Sequence, residues 1–227
     1  MRPEKSHGCT HTQIFLYKLL RITFDICSSF TVFTPSVFQY PWFLDEAPMV
    51  VNYAGLGSAI AHELVHSFDR DGIKIHANGT KGTWFGNATT AEFNARVRCL
   101  INQYNSFWYK SARMNVNGDL TVIENIADSG LFRLAYKAYL NYTNTVTTRE
   151  LNFTYLPFSN DKLFFIRAAQ LWCQKETFGK AKETMNGRYS PTEFRVNGPL
   201  QNFVEFADVF RCPSGSPMNP VNKCVIW

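Results

Sequence analysis

Long apolar runs are missing from this sequence, and that absence removes one class of protein at once. No stretch of its 227 residues reaches the roughly 20 uninterrupted apolar positions of a membrane-spanning helix. The nearest candidate, Ile14 to Phe33, is broken by Lys18, Arg21 and Asp25, so no membrane anchor is expected within the chain. Its apolar piece behind Met1-Arg2-Pro3-Glu4-Lys5 has no small-residue cleavage site after it, which argues against a signal peptide. No C-x-x-C pair is present, so a zinc ribbon or a thioredoxin-like redox site is not indicated. Neither a run of Lys or Arg nor a repeat nor a low-complexity linker occurs. The net charge of +5 is spread along the chain and points to no nucleic-acid partner.

What is present suits a well-packed domain. A hydrophobic fraction of 45% can build a substantial core, and 20 Phe supply large apolar side chains for it or for clefts. Six cysteines lie far apart, and four N-x-T sequons begin at Asn78, Asn87, Asn141 and Asn152. Together they favour a secreted or lumenal, disulfide-bonded protein.

Residues 1–32 show no clear period and are read as a lead-in of uncertain relation to the fold. From Asn52 to Asp69 the pattern is helical, with Leu56, Ile60, Leu64 and Phe68 spaced by four. A turn-rich stretch follows, where Asp71-Gly72 and Asn78-Gly79 flank Ile73-Lys74-Ile75 and predict a small hairpin. Thr89-Thr90-Ala91-Glu92 is a capping box that would open a helix through Phe93, Val97, Leu100 and Tyr104. Further helices are predicted from Val122 to Tyr142, Asp161 to Lys175 and Leu200 to Phe210. A short one should begin at Ser190-Pro191-Thr192-Glu193, with Ser190 as N-cap and Pro191 at the first helical position. The expected fold is one mainly α (α+β) domain.

The sharpest chemical signal is His62-Glu63-Leu64-Val65-His66, inside the first predicted helix. A spacing of four puts both imidazoles on one face, where they can share a metal ion. Glu63 is adjacent and can reach a water on that ion without binding the metal itself. A tetrahedral catalytic zinc needs a third protein ligand and an open position. Glu124, in Glu124-Asn125-Ile126-Ala127-Asp128, can supply it, and Asp128 one turn on can orient a ligand imidazole. Glu124 also has capping-box spacing with Thr121, a purely structural role that the residues alone leave equally open.

The order of motifs adds a resemblance. Asn52-Tyr53-Ala54-Gly55-Leu56-Gly57, His62 through Asp69, Glu124 through Asp128, Leu171-Trp172-Cys173, Phe194-Arg195-Val196 and Met218-Asn219-Pro220 through Trp227 follow one another as in the neprilysin and endothelin-converting enzyme family. The match runs from about Phe33 to Trp227. It implies a thermolysin-like zincin (gluzincin) domain over residues 33–227 with a small edge sheet or hairpin, one Zn2+ per chain and peptide substrates. By resemblance His62, His66 and Glu124 are the zinc ligands, Glu63 is the general base, and Asp128 and Asp69 orient His62 and His66. Arg195 would bind a substrate main-chain carbonyl. Val37, Trp42, Ala59, Leu171 and Trp172 would form an apolar pocket that selects bulky apolar residues after the scissile bond. Cys99 and Cys224 would form a disulfide. Cys173 and Cys212 would pair with upstream cysteines, for which only Cys9 and Cys27 are available here.

Three departures from the family weigh against full activity. The family's substrate-gripping Asn-Ala-x-Tyr segment is replaced by Arg21-Ile22-Thr23-Phe24, and its His-Ser-Pro, whose histidine faces the oxyanion, is Tyr189-Ser190-Pro191. The large N-terminal helical region that covers the family's site is not in this sequence. The chain is therefore expected to be a fragment of a longer, single-pass membrane-anchored ectodomain. A zinc-containing domain that binds peptides without turnover is the competing expectation.

Overall fold

The computed structural model describes residues 12–16, 20–25, 30–146 and 156–227; Cys9, Cys27 and Asn152 fall outside them. Its organising element is the helix α4, Gly118–Thr145. The Asn117 side chain caps it by accepting from the Leu120 amide at 3.1 Å, and Asp119 in its first turn complements the helix dipole. The helix thus starts four residues before the predicted Val122. Glu124 lies well inside it, Thr121 instead donates its hydroxyl to the Asn117 carbonyl, and the capping-box role for Glu124 falls away.

Three helices lean on α4: α2 (Ser58–Val65), α3 (Asn87–Asn105) and α7 (Thr192–Leu200). The α2 crossing is close because Gly130 presents no side chain. A Cβ there would stand 2.3 Å from Val65 Cγ2. Along the second half of α4, Leu131, Phe132, Ala135, Tyr136 and Tyr139 form the larger core with α5 (Asn160–Gln170), α8 (Val204–Phe210) and α1 (Met49–Asn52). Phe164, Phe165 and Phe203 fill it with edge-on and tilted ring contacts. Along the first half, Val122 and Ile126 join Phe93, Val97, Leu100 and Tyr104 of α3, and the core continues to α6 (Phe178–Met185) and Ile226.

The first predicted helix is longer and less uniform than its period suggests. Helix α1 runs through a π turn, Tyr53–Gly57, into α2 and ends in a 3-10 turn, His66–Phe68. Leu64 and Phe68, placed by the spacing on an apolar face, are 44% and 45% exposed. The buried face carries Ala61, His62, Val65 and His66 instead, because α4 offers those imidazoles carboxylate partners. At the π turn the Leu56 amide donates to the Trp42 carbonyl at 2.9 Å. Gly55 permits that approach, since a Cβ on it would lie 2.2 Å from the same oxygen.

Smaller corrections have local causes. Helix α3 begins at Asn87 behind Gly86, so the capping box at Thr89 is not used. Ser190 does not cap α7, whose N-cap is Pro191; its hydroxyl is taken up by Asn125 on α4. Helix α5 stops at Gln170, and α8 begins only at Val204 because α7 extends to Leu200. The predicted hairpin shrinks to one antiparallel bridge, Ile75 to Lys81, behind a 3-10 turn at Gly72–Lys74. Helix α6, capped by the Thr177 side chain, had no counterpart in the sequence reading.

Where residues 1–32 gave no period, the described ones include strands. β1 (Thr12–Leu16), β2 (Leu20–Asp25) and β3 (Phe30–Phe33) form an antiparallel sheet in that order, and β2 packs against α2. Arg21-Ile22-Thr23-Phe24 thus lies in the middle strand. A two-stranded ribbon, β4 (Trp108–Tyr109) and β5 (Met114–Asn115), links α3 to α4.

The Cys99–Cys224 disulfide is present with its Cα atoms 5.5 Å apart, and it fastens the C-terminal tail to α3. Arg96 on the same helix donates to the Ile226 carbonyl. Among the described residues Cys173 and Cys212 are unpaired. Closing a loop of 125 residues contributes roughly 4 to 5 kcal/mol in the chain-entropy model. Peptide mapping of folded, unreduced protein is expected to recover the linked pair, and Cys224→Ser should lower the urea midpoint. Gly130→Ala should cost about 1 to 3 kcal/mol by forcing α2 and α4 apart, seen as a lower melting temperature with helix content retained.

Candidate metal centre

Helix α2 and the 3-10 turn that ends it deliver His62, Glu63 and His66, all at 0% exposure, and α4 delivers Glu124 at 1%. Among the described residues these two imidazoles and Glu124 are the one group of metal-ligand side chains whose donor atoms lie within 4.8 Å of one another. The two Nε2 atoms are 3.1 Å apart. Glu124 Oε2 is 3.4 Å from His62 Nε2 and 3.8 Å from His66 Nε2. Donors about 2.0 to 2.1 Å from a tetrahedral zinc stand about 3.4 Å from each other. The three distances bracket that value. Neither buried Glu124 oxygen has a hydrogen bond; Arg188 Nε faces Oε1 at 3.4 Å, and Oε2 is turned to the two imidazoles, where an ion would complete it. The donor set of two nitrogens and one oxygen is a catalytic zinc set, and these residues fit the ion.

The far nitrogen of each imidazole is held by a carboxylate. His66 Nδ1 lies 2.7 Å from Asp69 Oδ2, and the other Asp69 oxygen accepts from the Asp71 and Gly72 amides at 2.8 Å each. The 3-10 turn ending α2 is what brings Asp69 back under His66. His62 Nδ1 lies 2.9 Å from Asp128 Oδ1. Such partners turn the Nε2 lone pairs toward a common point and raise ligand basicity.

Asp128 is itself clamped. Arg195 on α7 donates to its two oxygens at 2.7 and 2.8 Å, a bidentate pair with both side chains buried. The guanidinium also stacks on Trp172 at 4.1 Å and faces the Tyr189 ring at 4.9 Å. Two of its three nitrogens are committed to Asp128.

Electrostatics follow from this geometry. Burial pulls the His62 imidazole toward neutrality, but the carboxylates of Asp128 and Glu124 beside it overcome that and push it up to about 9. Burial would raise both carboxyls, yet Arg195 and His62 hold Asp128 below the usual carboxylate range, and the two imidazoles do the same for Glu124. Burial pushes the Tyr189 phenol up to about 12, so it is neutral near pH 7.

Beside the centre opens a cleft of about 830 Å³, lined among others by Trp42, Leu171, Trp172, Tyr189 and Arg195. Val37 and Ala59 are not on its surface. They are 1% and 3% exposed and back Trp42, with Leu56, in a small apolar cluster that Leu171 joins. The five residues grouped by resemblance therefore divide into wall and backing, and Trp172 belongs to the Arg195 stack.

Two participants had gone unnoticed in the sequence. Asn125 ties the loop carrying Tyr189 to α4, since its Oδ1 accepts from Ser190 at 2.7 Å. Its place inside Glu124-Asn125-Ile126-Ala127-Asp128 was the available hint. Arg188, 3.4 Å from Glu124 Oε1, had no signal at all.

A helical domain whose central helices converge two histidines, a glutamate and an adjacent buried glutamate defines the zincin class of metallopeptidase. The chain belongs to Peptidase family M13, whose sequence profile matches residues 24–226. It is 38% identical over 197 residues to Neprilysin-1 of Caenorhabditis elegans, which covers 86% of this chain and 26% of that protein. With human Endothelin-converting enzyme 1 it shares 37% identity over 86% of this chain and 25% of that protein. Among solved structures, the zinc metalloprotease Zmp1 of Mycobacterium tuberculosis in complex with an inhibitor superposes with a TM-score of 0.82 at 27% identity, over 90% of this chain and 31% of that one. The chain spans about a quarter of the length of the curated relatives it matches.

Asp128→Asn tests the clamp in chelator-treated protein. It leaves a buried guanidinium without its counter-charge, and losses of roughly 3 to 5 kcal/mol are expected for breaking such a pair. The pH profile adds a second readout. A depressed carboxyl contributes stability above its unfolded pKa, about 4, and loses it as pH falls through the lower folded value. The raised imidazole contributes fully below about 6.5 and loses its share as pH rises through about 9. Urea midpoints should therefore fall at both ends in the wild type, and Asp128→Asn should flatten both limbs.

Proposed function

We propose that this chain is the catalytic part, residues 33–227, of a zinc-dependent endopeptidase that hydrolyses oligopeptides on the amino side of bulky apolar residues. The observation that carries the reading is the convergence of His62, His66 and Glu124 beside the fully buried Glu63. Zinc, when bound, would polarise a peptide carbonyl and acidify a water. His62, His66 and Glu124 would hold the ion, and Asp128 and Asp69 keep the imidazoles aimed. Glu63, one residue from His62 and no part of the ligand set, takes the proton of the attacking water and returns it to the leaving amine. Arg195 fixes Asp128 with two nitrogens and offers Nη1 to a substrate carbonyl. The cleft walled by Trp42, Leu171 and Trp172 accommodates an apolar side chain and supports the specificity.

The natural setting we infer is the lumen or the cell exterior, as the ectodomain of a longer membrane-anchored protein. The Cys99–Cys224 bridge fits an oxidising compartment, and Asn78, Asn87 and Asn141 are exposed as glycan acceptors require. One relative, 38% identical, is the human Membrane metallo-endopeptidase-like 1. Among the described residues no helix is long and apolar enough to cross a membrane.

Metal analysis and peptide hydrolysis test the assignment together. Wild type should bind one zinc, and Glu124→Ala should lose most of it. Glu63→Gln should keep the metal and lose hydrolysis of a peptide with Phe or Leu after the scissile bond. Zinc retained by a wild type that hydrolyses nothing would favour a peptide-binding domain over an enzyme.

A further inference from the structure

The charged side chains that line the cleft are Arg167, Lys180, Glu183 and Arg195. Lys180 and Glu183 pair with each other at 3.0 Å, and Arg195 is clamped to Asp128. Arg167, on α5, is the exception. It is only 9% exposed, yet among the described residues no Asp or Glu side chain pairs with it. Its Nη2 donates to the Pro41 carbonyl. Nε and Nη1 find no acceptor among those residues and remain accessible to solvent from the cleft.

A guanidinium stripped of most of its water is costly unless an anion replaces that water. The two cleft arginines show the difference. Arg195, beside Asp128, is raised above the usual guanidinium value, whereas burial lowers Arg167 and only the Tyr40 phenol opposes it. Arg167 still keeps its charge at neutral pH, and its remaining N–H donors match a carboxylate in shape and sign. Its position says which one. Leu171 lies one turn further along the same face, and Pro41 immediately precedes Trp42, so the guanidinium stands beside the apolar wall of the cleft. A peptide whose apolar side chain rests on that wall has its scissile bond on the amino side of that residue. What is left to reach Arg167 is the group on the carboxyl side.

We propose that Arg167 binds a carboxylate of the peptide substrate just after the apolar residue, so that the site selects peptides in which this residue is followed by an acidic side chain or by the free C-terminus. This rests on the zinc-peptidase reading above, which supplies the apolar anchor. A purely structural role would look different: if Arg167 only tied α5 to Pro41, its loss would weaken every peptide alike, charged or not.

The test uses peptides identical except after the Phe that follows the scissile bond: Glu with an amidated end, Gln with an amidated end, and Gln with a free C-terminus. Hydrolysis is measured as kcat/KM for wild type, Arg167→Gln and Lys180→Ala. Peptide Kd is read by fluorescence anisotropy in the same proteins carrying Glu63→Gln. Wild type is expected to favour a carboxylate peptide over the Gln amide by about tenfold in both quantities, and the preference should fade at high salt. Preference for the Glu amide assigns Arg167 to an acidic side chain, and preference for the free acid assigns it to the chain terminus. Arg167→Gln should erase the preference while leaving the Gln amide nearly unchanged, and Lys180→Ala should keep it. Equal wild-type values for all the peptides would overturn the proposal, as would a preference that survives Arg167→Gln or a loss there shared by every peptide. Should Arg167→Gln fail to fold, Lys180→Ala decides: a preference lost in it belongs to Lys180 and sinks the assignment, and one retained supports Arg167. If the wild type binds zinc but hydrolyses nothing, the peptidase reading fails by itself, and the Kd ratios decide for or against Arg167 on the same terms.

Discussion

The carboxylate of Asp128 is the point on which this structure turns. It is wholly buried, it accepts two hydrogen bonds from Arg195, and it faces His62. Three helices, α2, α4 and α7, meet there because each contributes one member of a charged cluster that none could bury alone. A buried ion pair is weak evidence for stability, since dehydrating both charges offsets much of their attraction. Its stronger effect is on specificity of arrangement. Helices joined by apolar contact alone can slide by a fraction of a turn, whereas a bidentate guanidinium admits one angle and one distance.

From that point the geometry propagates in both directions. Toward the ligands, Asp128 sets the ring of His62 while Asp69, braced by two backbone amides, sets His66. Toward the cleft, Arg195 stacks on Trp172 and faces Tyr189, so the wall of the cleft and the aim of a ligand share one support. Ser190 and Asn125 add a second tie between the Tyr189 loop and α4. The centre is thus built from four separated stretches of chain, and the Cys99–Cys224 bridge fastens the tail that follows them to α3.

The features legible in the sequence were those with a local cause. The i, i+4 spacing of His62 and His66 and the one-turn spacing of Glu124 and Asp128 fix which side chains share a face, whatever surrounds them. The start of α7 near Pro191 is local too. What escaped needed knowledge of partners. Leu64 and Phe68 looked like core by their period and lie outside, because α4 draws the imidazole face inward. Ser190 looked like a cap and serves as a tie to Asn125. The Asp128–Arg195 pair spans 67 residues, and no spacing rule reaches that far. The cap role of Glu124 was removed by where α4 begins, which Asn117 decides.

The π turn at Tyr53–Gly57 carries a consequence of its own. Each residue of a helix advances the chain by about 100°, and a π turn accommodates one residue more than an α turn. The stretch between Pro48 and His62 therefore works as an angular offset, setting the rotational phase of the metal-binding face relative to the apolar face of α1. Loss of one residue there is absorbed by closing the π turn into an α turn, whereas loss of a second would swing His62, Glu63 and His66 away from Glu124 by more than a quarter turn. The number of residues in that segment is thus as much a determinant of the centre as the identity of its ligands, and chain length itself becomes a coordinate of the site.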